Sequence, residues 1–194
     1  MSIRGDVGHR FRDPLVEVGD FARDVLVRCP ACGDRAIVRW PAEARWREGG
    51  GPPRWRLFCF ACGKSKDIVT SAGAFGEPVD PYFRLPLWLQ ANCGGKVLWA
   101  YNAEHLDFLE ALVAARIRER WAIFGTVSAE GTPGAYCYAN DTASAMSLMS
   151  RLPGWLKLTK NREQVLHVIR RLRSSLPPAP GSEGRPGGSL GRHG

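Results

Sequence analysis

The apolar positions of this chain come as short runs near the start and as helical stripes further on. Asp24-Val-Leu-Val-Arg, Ala36-Ile-Val-Arg-Trp and Arg54-Trp-Arg-Leu-Phe are brief, β-branched and aromatic runs, and such runs predict strands. Leu85-Pro-Leu-Trp-Leu-Gln and Val97-Leu-Trp-Ala-Tyr flank Asn92-Cys-Gly-Gly-Lys, a spacing that predicts a β-hairpin about a Gly-Gly turn. Pro86 requires its first strand to lie at an edge or start late. From Ala103 to Arg120 the period changes. Leu106, Leu109, Val113 and Ile117 fall three and four apart, with Phe108 and Leu112 widening the stripe, which predicts one amphipathic helix with Asn102 as N-cap. Asp107 and Glu110 early, and Arg116, Arg118 and Arg120 late, suit the helix dipole. A short helix is expected from a cap at Asp141-Thr142 through Leu152. Another is expected from Arg162 to about Leu172 behind Asn161, with Val165, Leu166, Ile169 and Leu172 inward.

These elements predict an α+β chain: a small β-rich unit, then a hairpin with helices. The expected organisation is a leader over 1–19, a first unit over 20–70, a linker over Ser71–Pro81 rich in Gly and Pro, a second unit over 81–174, and a tail over 176–194. That tail is Pro-, Gly- and Ser-rich and is expected to be disordered. No apolar run approaches the ~20 residues that span a bilayer. The first 20 residues lack a signal-peptide core, so a cytoplasmic location is expected.

Composition changes the picture at one point. Six cysteines occur in 194 residues, and four form the pairs Cys29-Pro-Ala-Cys32-Gly and Cys59-Phe-Ala-Cys62-Gly. Two residues between cysteines let one turn aim both sulfurs at a single ion, and four thiolates complete a zinc tetrahedron. Glycine after each pair permits a left-handed backbone, which turns nearby amides toward the sulfurs. One structural zinc held by Cys29, Cys32, Cys59 and Cys62 is therefore expected. Iron–sulfur clusters use the same ligand type and redox dithiols the same spacing; the duplicated pair-plus-glycine device favours zinc. Cys93 and Cys137 lack partners at ligand spacing and read as ordinary part-buried residues. His105, at the third helical position, has the chemistry of a ligand or a catalytic base, but a histidine there reads first as a half-exposed polar residue near the cap.

The strand–knuckle pattern resembles the zinc ribbons of transcription factors, primases and ribosomal proteins. The knuckles, with Leu87-Trp-Leu-Gln, Leu98-Trp-Ala-Tyr-Asn, His105-Leu-Asp-Phe-Leu-Glu and Arg151-Leu-Pro-Gly-Trp-Leu-Lys, also resemble bacterial proteins described only by a transcription-factor-IIB-type zinc ribbon. The resemblance implies the ribbon fold and carries no activity with it.

Charge then narrows the partners. The net charge is +8, with net 0 over 1–19, +4 over 20–67, −3 over 68–150 and +7 over 151–194. The basic segments permit contact with nucleic acid or another polyanion without requiring it, since basic surfaces also serve solubility. Arg39, Arg45, Trp46, Arg47, Arg54, Trp55 and Arg56 alternate guanidinium with indole, so they are the candidate nucleic-acid contacts, with single strands favoured. The bland reading of the same residues is arginine shielding tryptophan over a thin core. The alternative function is a protein–protein adaptor on a zinc scaffold, favoured by Trp88, Trp99 and Tyr101 as an aromatic surface. No Ser/His/Asp set, paired carboxylates or phosphate-cradling glycine loop can be read, so a non-enzyme is expected.

Overall fold

The computed structural model describes residues 10–40, 54–119 and 147–177. The chain is α+β. A four-stranded antiparallel sheet is built from β1's successors in order: β1 (Arg10–Arg12) lies apart, and β2 (Asp24–Arg28), β3 (Arg35–Arg39), β4 (Arg54–Cys59) and β5 (Ser65–Val69) pair as neighbours. The three strands read from sequence are β2, β3 and β4. The hairpin is β6 (Leu89–Cys93) and β7 (Lys96–Ala100), turning on Gly94-Gly95, both with positive φ. The late start that Pro86 requires is met, since β6 begins at Leu89.

Before that hairpin, Pro86–Trp88 lies along the outer edge of β2. Arg28 N–H donates to the Pro86 carbonyl at 2.9 Å and Trp88 N–H to the Leu26 carbonyl at 2.9 Å. An uncovered edge strand is a template for unwanted pairing, and here one edge of the sheet is closed by the chain itself. Leu26 N–H reaches further, to the Tyr101 carbonyl at 2.8 Å, which ties β2 to the end of β7.

Helix α1 (Ala103–Ala114) opens as its sequence dictates. The Asn102 side chain accepts from His105 N–H at 2.9 Å, and its amide donates to the carbonyls of Phe21 and Asp24. The helix ends at Ala114, six residues before the apolar spacing would end it. Ile117 is exposed in β8 (Ile117–Glu119), which pairs in parallel with β1. The cause is a cap supplied from outside the helix. Arg118 Nε donates to the Leu112 carbonyl at 2.8 Å, while Arg162 donates to the carbonyls of Val113 and Ala115 at 3.1 and 3.0 Å. A helix end needs partners for its last carbonyls, and two guanidinium groups provide them.

Among the described residues three further α-helices follow: α2 (Leu148–Arg151), α3 (Gly154–Lys157) and α4 (Arg162–Arg173). Ser147 caps α2, and its hydroxyl donates to the buried Asp13 carboxylate at 2.6 Å. The expected cap at Asp141-Thr142 lies outside the described residues. Asn161 precedes α4 as expected, yet its side chain makes no cap; it donates to the Trp155 carbonyl at 2.8 Å. Helix α4 packs on α1 and β6, with Val165, Val168, Ile169 and Leu172 buried. The core is continuous from Phe11 and Val25 through Leu57, Leu87 and Phe108 to Leu172.

The Gly- and Pro-containing stretch expected as a linker is pinned at several points. Asp80, fully buried, accepts from the amides of Tyr82, Phe83 and Leu85 at 3.0, 2.7 and 2.6 Å. Burial pushes its carboxyl up even though those three amides oppose the shift. Gly73 N–H donates to the Pro81 carbonyl, and Gly76 N–H to the Tyr101 hydroxyl. Short polar loops bound by Asx-type contacts hold a shape that composition alone does not disclose. Residues 178–194, most of the expected tail, lie outside the described residues. Among the described residues no helix is long and apolar enough to cross a membrane.

Candidate metal centre

Two hairpins present the cysteines from one end of the sheet. The β2–β3 turn carries Cys29 and Cys32; the β4–β5 turn carries Cys59 and Cys62. Their backbones repeat each other. Gly33 N–H donates to the Cys29 carbonyl at 2.9 Å, and Gly63 N–H to the Cys59 carbonyl at 3.1 Å. Cys29 N–H meets the Asp34 carbonyl at 2.7 Å, and Cys59 N–H the Lys64 carbonyl at 2.9 Å. Gly33 and Gly63 sit at φ of 77° and 70°, a conformation that costs a side-chain-bearing residue about 1–2 kcal/mol. Nothing crowds either glycine, so backbone conformation and not space selects glycine there.

The four sulfurs lie within 4.8 Å of one another. Cys29 Sγ is 3.7 Å from Cys62 Sγ, and Cys32 Sγ is 3.6 Å from Cys59 Sγ. A sulfur tetrahedron with metal–sulfur bonds of about 2.3 Å has edges of about 3.8 Å. The observed separations match those edges, and they far exceed the ~2.05 Å of a disulfide. The donor set therefore fits a tetrahedral thiophilic metal ion. Cys29 and Cys59 are buried, while Cys32 and Cys62 face outward, so the cluster lies at the surface end of the sheet.

Electrostatics argue in the same direction. Cys29 is drawn down to about 6, first by the Cys32 amide and then by the Ala31 amide, against desolvation. Cys32 is pushed up to about 12 although the Asp34 amide opposes it, because desolvation and the thiols of Cys59, Cys62 and Cys29 hold its proton. Four adjacent thiols cannot all ionise without a cation among them.

The candidate nucleic-acid residues divide differently from their sequence pattern. Arg45, Trp46 and Arg47 lie outside the described residues. Arg39 is exposed on β3, and its guanidinium pairs with Asp24 at 3.2 and 3.3 Å. Arg56 holds Asp67 at 2.8 and 3.0 Å, and Arg54 approaches the same carboxylate at 3.7 Å. That hydrogen bond from Arg56 keeps the Asp67 carboxyl below its usual range. Trp55 is a correction to the stacking surface. It is 6% exposed, its ring stacks on Tyr82 at 3.4 Å between centroids, and Trp40 meets it edge-on at 5.5 Å. Its strand alternates, so Trp55 and Leu57 point inward while Arg54, Arg56 and Phe58 point outward. The α4 arginines are likewise engaged in part: Arg162 caps α1, and Arg173 pairs with Asp107 and Glu110.

A different aromatic pair is exposed beside the cysteines. Phe58 and Phe60 are 39% and 59% exposed and meet edge-on at 5.3 Å beside the cysteine cluster. Arg35 lies over the Phe60 ring at 5.9 Å. In register with Phe58 are Ile37 on β3 and, next, Leu26 on β2, so an apolar row crosses the outer face of the sheet. Alternation in Arg54-Trp-Arg-Leu-Phe-Cys was the available signal: once Cys59 faces inward to the cysteine cluster, Phe58 must face out. Cys93 is buried, and burial pushes its thiol up. Cys137 lies outside the described residues. No family model, curated protein or solved structure matches the chain.

Proposed function

We propose that the four cysteines hold one structural zinc ion and that the sheet face beside it binds single-stranded nucleic acid. Zinc is favoured over iron by a closed four-thiolate shell on a two-knuckle scaffold, a site type that contributes folding free energy outright. The observation that carries the binding reading is the Phe58–Phe60 pair with Arg35 at its edge. Exposed rings on a sheet stack with unpaired bases, and a neighbouring guanidinium reaches phosphate. Across the described part of the ribbon, residues 24–40 and 54–69 carry seven basic side chains against three acidic ones. A zinc–tetrathiolate centre adds two negative charges, so the face keeps a small positive balance.

The adaptor reading has its own support. Arg39 and Arg56 already hold carboxylates, so fewer free cations remain for phosphate than the sequence suggests, and exposed phenylalanines also suit a protein partner. Fluorescence anisotropy with labelled single-stranded and duplex oligonucleotides at two salt concentrations separates the two. Single-strand binding that Phe60→Ala weakens at both salts, and that Arg35→Gln weakens with a flatter salt slope, supports nucleic acid. No binding at low salt with zinc loaded transfers the face to a protein partner.

A further inference from the structure

Away from the ribbon, a cavity of about 300 Å³ opens between β7, α1 and the α2–α3 segment. Its volume is at the lower end of the range for ligand pockets, about 300–1,000 Å³. Its walls are mostly apolar, with Trp99 and Trp155 as the large flat surfaces and Phe75 and Leu152 beside them. Among the described lining residues two polar side chains interrupt them, His105 and Arg151.

His105 is 1% exposed and belongs to the inner wall. Its ring stacks on Phe21 at 4.8 Å and meets Trp99 edge-on at 5.5 Å. Nδ1 accepts the Tyr101 N–H at 3.3 Å, so the proton of the neutral ring resides on Nε2. No described residue accepts that Nε2–H. Among the described residues Trp55 Nε1 is the fully occluded side-chain nitrogen without a partner. His105 Nε2, equally unpartnered, keeps slight exposure, and His105 lines the cavity. A buried donor left without an acceptor is costly, and a ligand oxygen would satisfy it. Arg151 is exposed and has no carboxylate partner among the described residues, which places a free cation at the rim.

We infer that this cavity is a binding site for a small carboxylic acid with a flat apolar body and an acceptor oxygen at its far end. The carboxylate meets the Arg151 guanidinium, where water still solvates it. The body lies against Trp99 and Trp155, and the far oxygen accepts from His105 Nε2–H. A neutral donor at the floor selects an uncharged oxygen there, because a carboxylate buried against it would lose its hydration without a compensating charge. The site is independent of the zinc centre and of the nucleic-acid reading.

The test uses the full zinc-loaded chain and three probes: 4-methoxyphenylacetate, 4-ethylphenylacetate, which lacks the far oxygen, and 4-methoxyphenylacetamide, which lacks the charge. NMR titration gives affinity, and the His105 ring ¹⁵N signals report the Nε2 contact. The methoxy acid should bind with a Kd on the order of 1 mM or tighter, the scale set by its small size. The ethyl acid and the amide should each bind about tenfold more weakly, the scale of one lost hydrogen bond to a buried or charged group. Arg151→Gln, at an exposed position, should weaken the acids about tenfold and leave the amide unchanged. The Nε2 signal should move with the methoxy acid and not with the ethyl acid. Equal affinity of the acid for the parent chain and Arg151→Gln, an Nε2 signal that stays put at saturation, or no saturable binding of any probe overturns the assignment.

Discussion

The knuckle end of the ribbon and the helix-bearing body are held together by different means. In the body, α1 alone buries Leu106, Phe108, Leu109, Leu112 and Val113, and α4 answers with Val165, Val168, Ile169 and Leu172. At the knuckles the side chains beyond Cys29 and Cys59 are exposed: Ala31, Cys32, Phe60, Ala61 and Cys62. There is no apolar interior for them to share. The lower half of the same sheet is intermediate, since Val25, Val38, Trp55 and Leu57 pack on the body. With the proposed ion in place, order at the knuckles depends on the bond between sulfur and metal, whereas order in the body depends on apolar area removed from water. One sheet passes from the first regime to the second within two turns of strand.

The sharpest way to break that comparison is to remove a ligand. Cys59→Ser should take the zinc content from one per chain to none, read by elemental analysis. Hydrogen exchange should then show the amides of Cys29, Gly33, Cys59 and Gly63 losing protection while those of α1 and α4 keep theirs. Simultaneous loss everywhere would mean that metal and apolar core form one cooperative unit. The reverse experiment is Phe108→Ala. Truncating a buried phenylalanine should cost about 3–5 kcal/mol, measured by denaturant unfolding, with the metal stoichiometry unchanged.

The pH response sharpens the contrast from the side of the body. Burial draws His105 down to about 3 from an ordinary value near 6.5. Its folded value lies below its unfolded one, so the unfolded chain binds the proton first as pH falls. The stability tied to a neutral His105 is complete above about 6.5 and is lost as pH drops toward 3, at up to about 1.4 kcal/mol per unit. Acid also strips thiolates of metal, so the measurement is the difference in slope between the parent chain and His105→Phe, in which that contribution cancels. Equal slopes would show that His105 is not buried neutral. The smallest expected effect is at the sheet surface. Asp67→Asn should cost less than about 1 kcal/mol, as exposed ion pairs do. It should also release Arg54 from that carboxylate and strengthen any binding of single-stranded oligonucleotides, read by anisotropy.

How far the sequence discloses all this follows the same division. The knuckles are legible because their chemistry is local: two cysteines, a turn and a glycine each lie within five residues. The β6–β7 hairpin and the Asn102 cap are legible for the same reason. Trp55 misleads because its strand alternation has to be known before Arg-Trp-Arg can be sorted into faces, and its partner Tyr82 is 27 residues away. The end of α1 misleads because Arg162, 48 residues beyond Ala114, supplies part of the cap. The parallel pairing of β1 with β8 joins two three-residue strands over a hundred residues apart, which no local pattern encodes. The cavity is a meeting of separate segments, so His105 shows in the sequence only as a polar residue near a cap.

That borrowed helix cap has a consequence during synthesis. The last cysteine of the cluster, Cys62, leaves the ribosome 100 residues ahead of Arg162, an interval of about 5–20 s at ordinary translation rates. All four thiols are thus available while the final carbonyls of α1 still face water. The nascent chain passes through a stage in which the knuckles can load and close around their ion, yet the first long helix is frayed at its end and its apolar stripe lacks α4. On the proposed zinc reading, metal supply and chain completion act on this protein at different moments, and a shortage of either leaves a different half exposed.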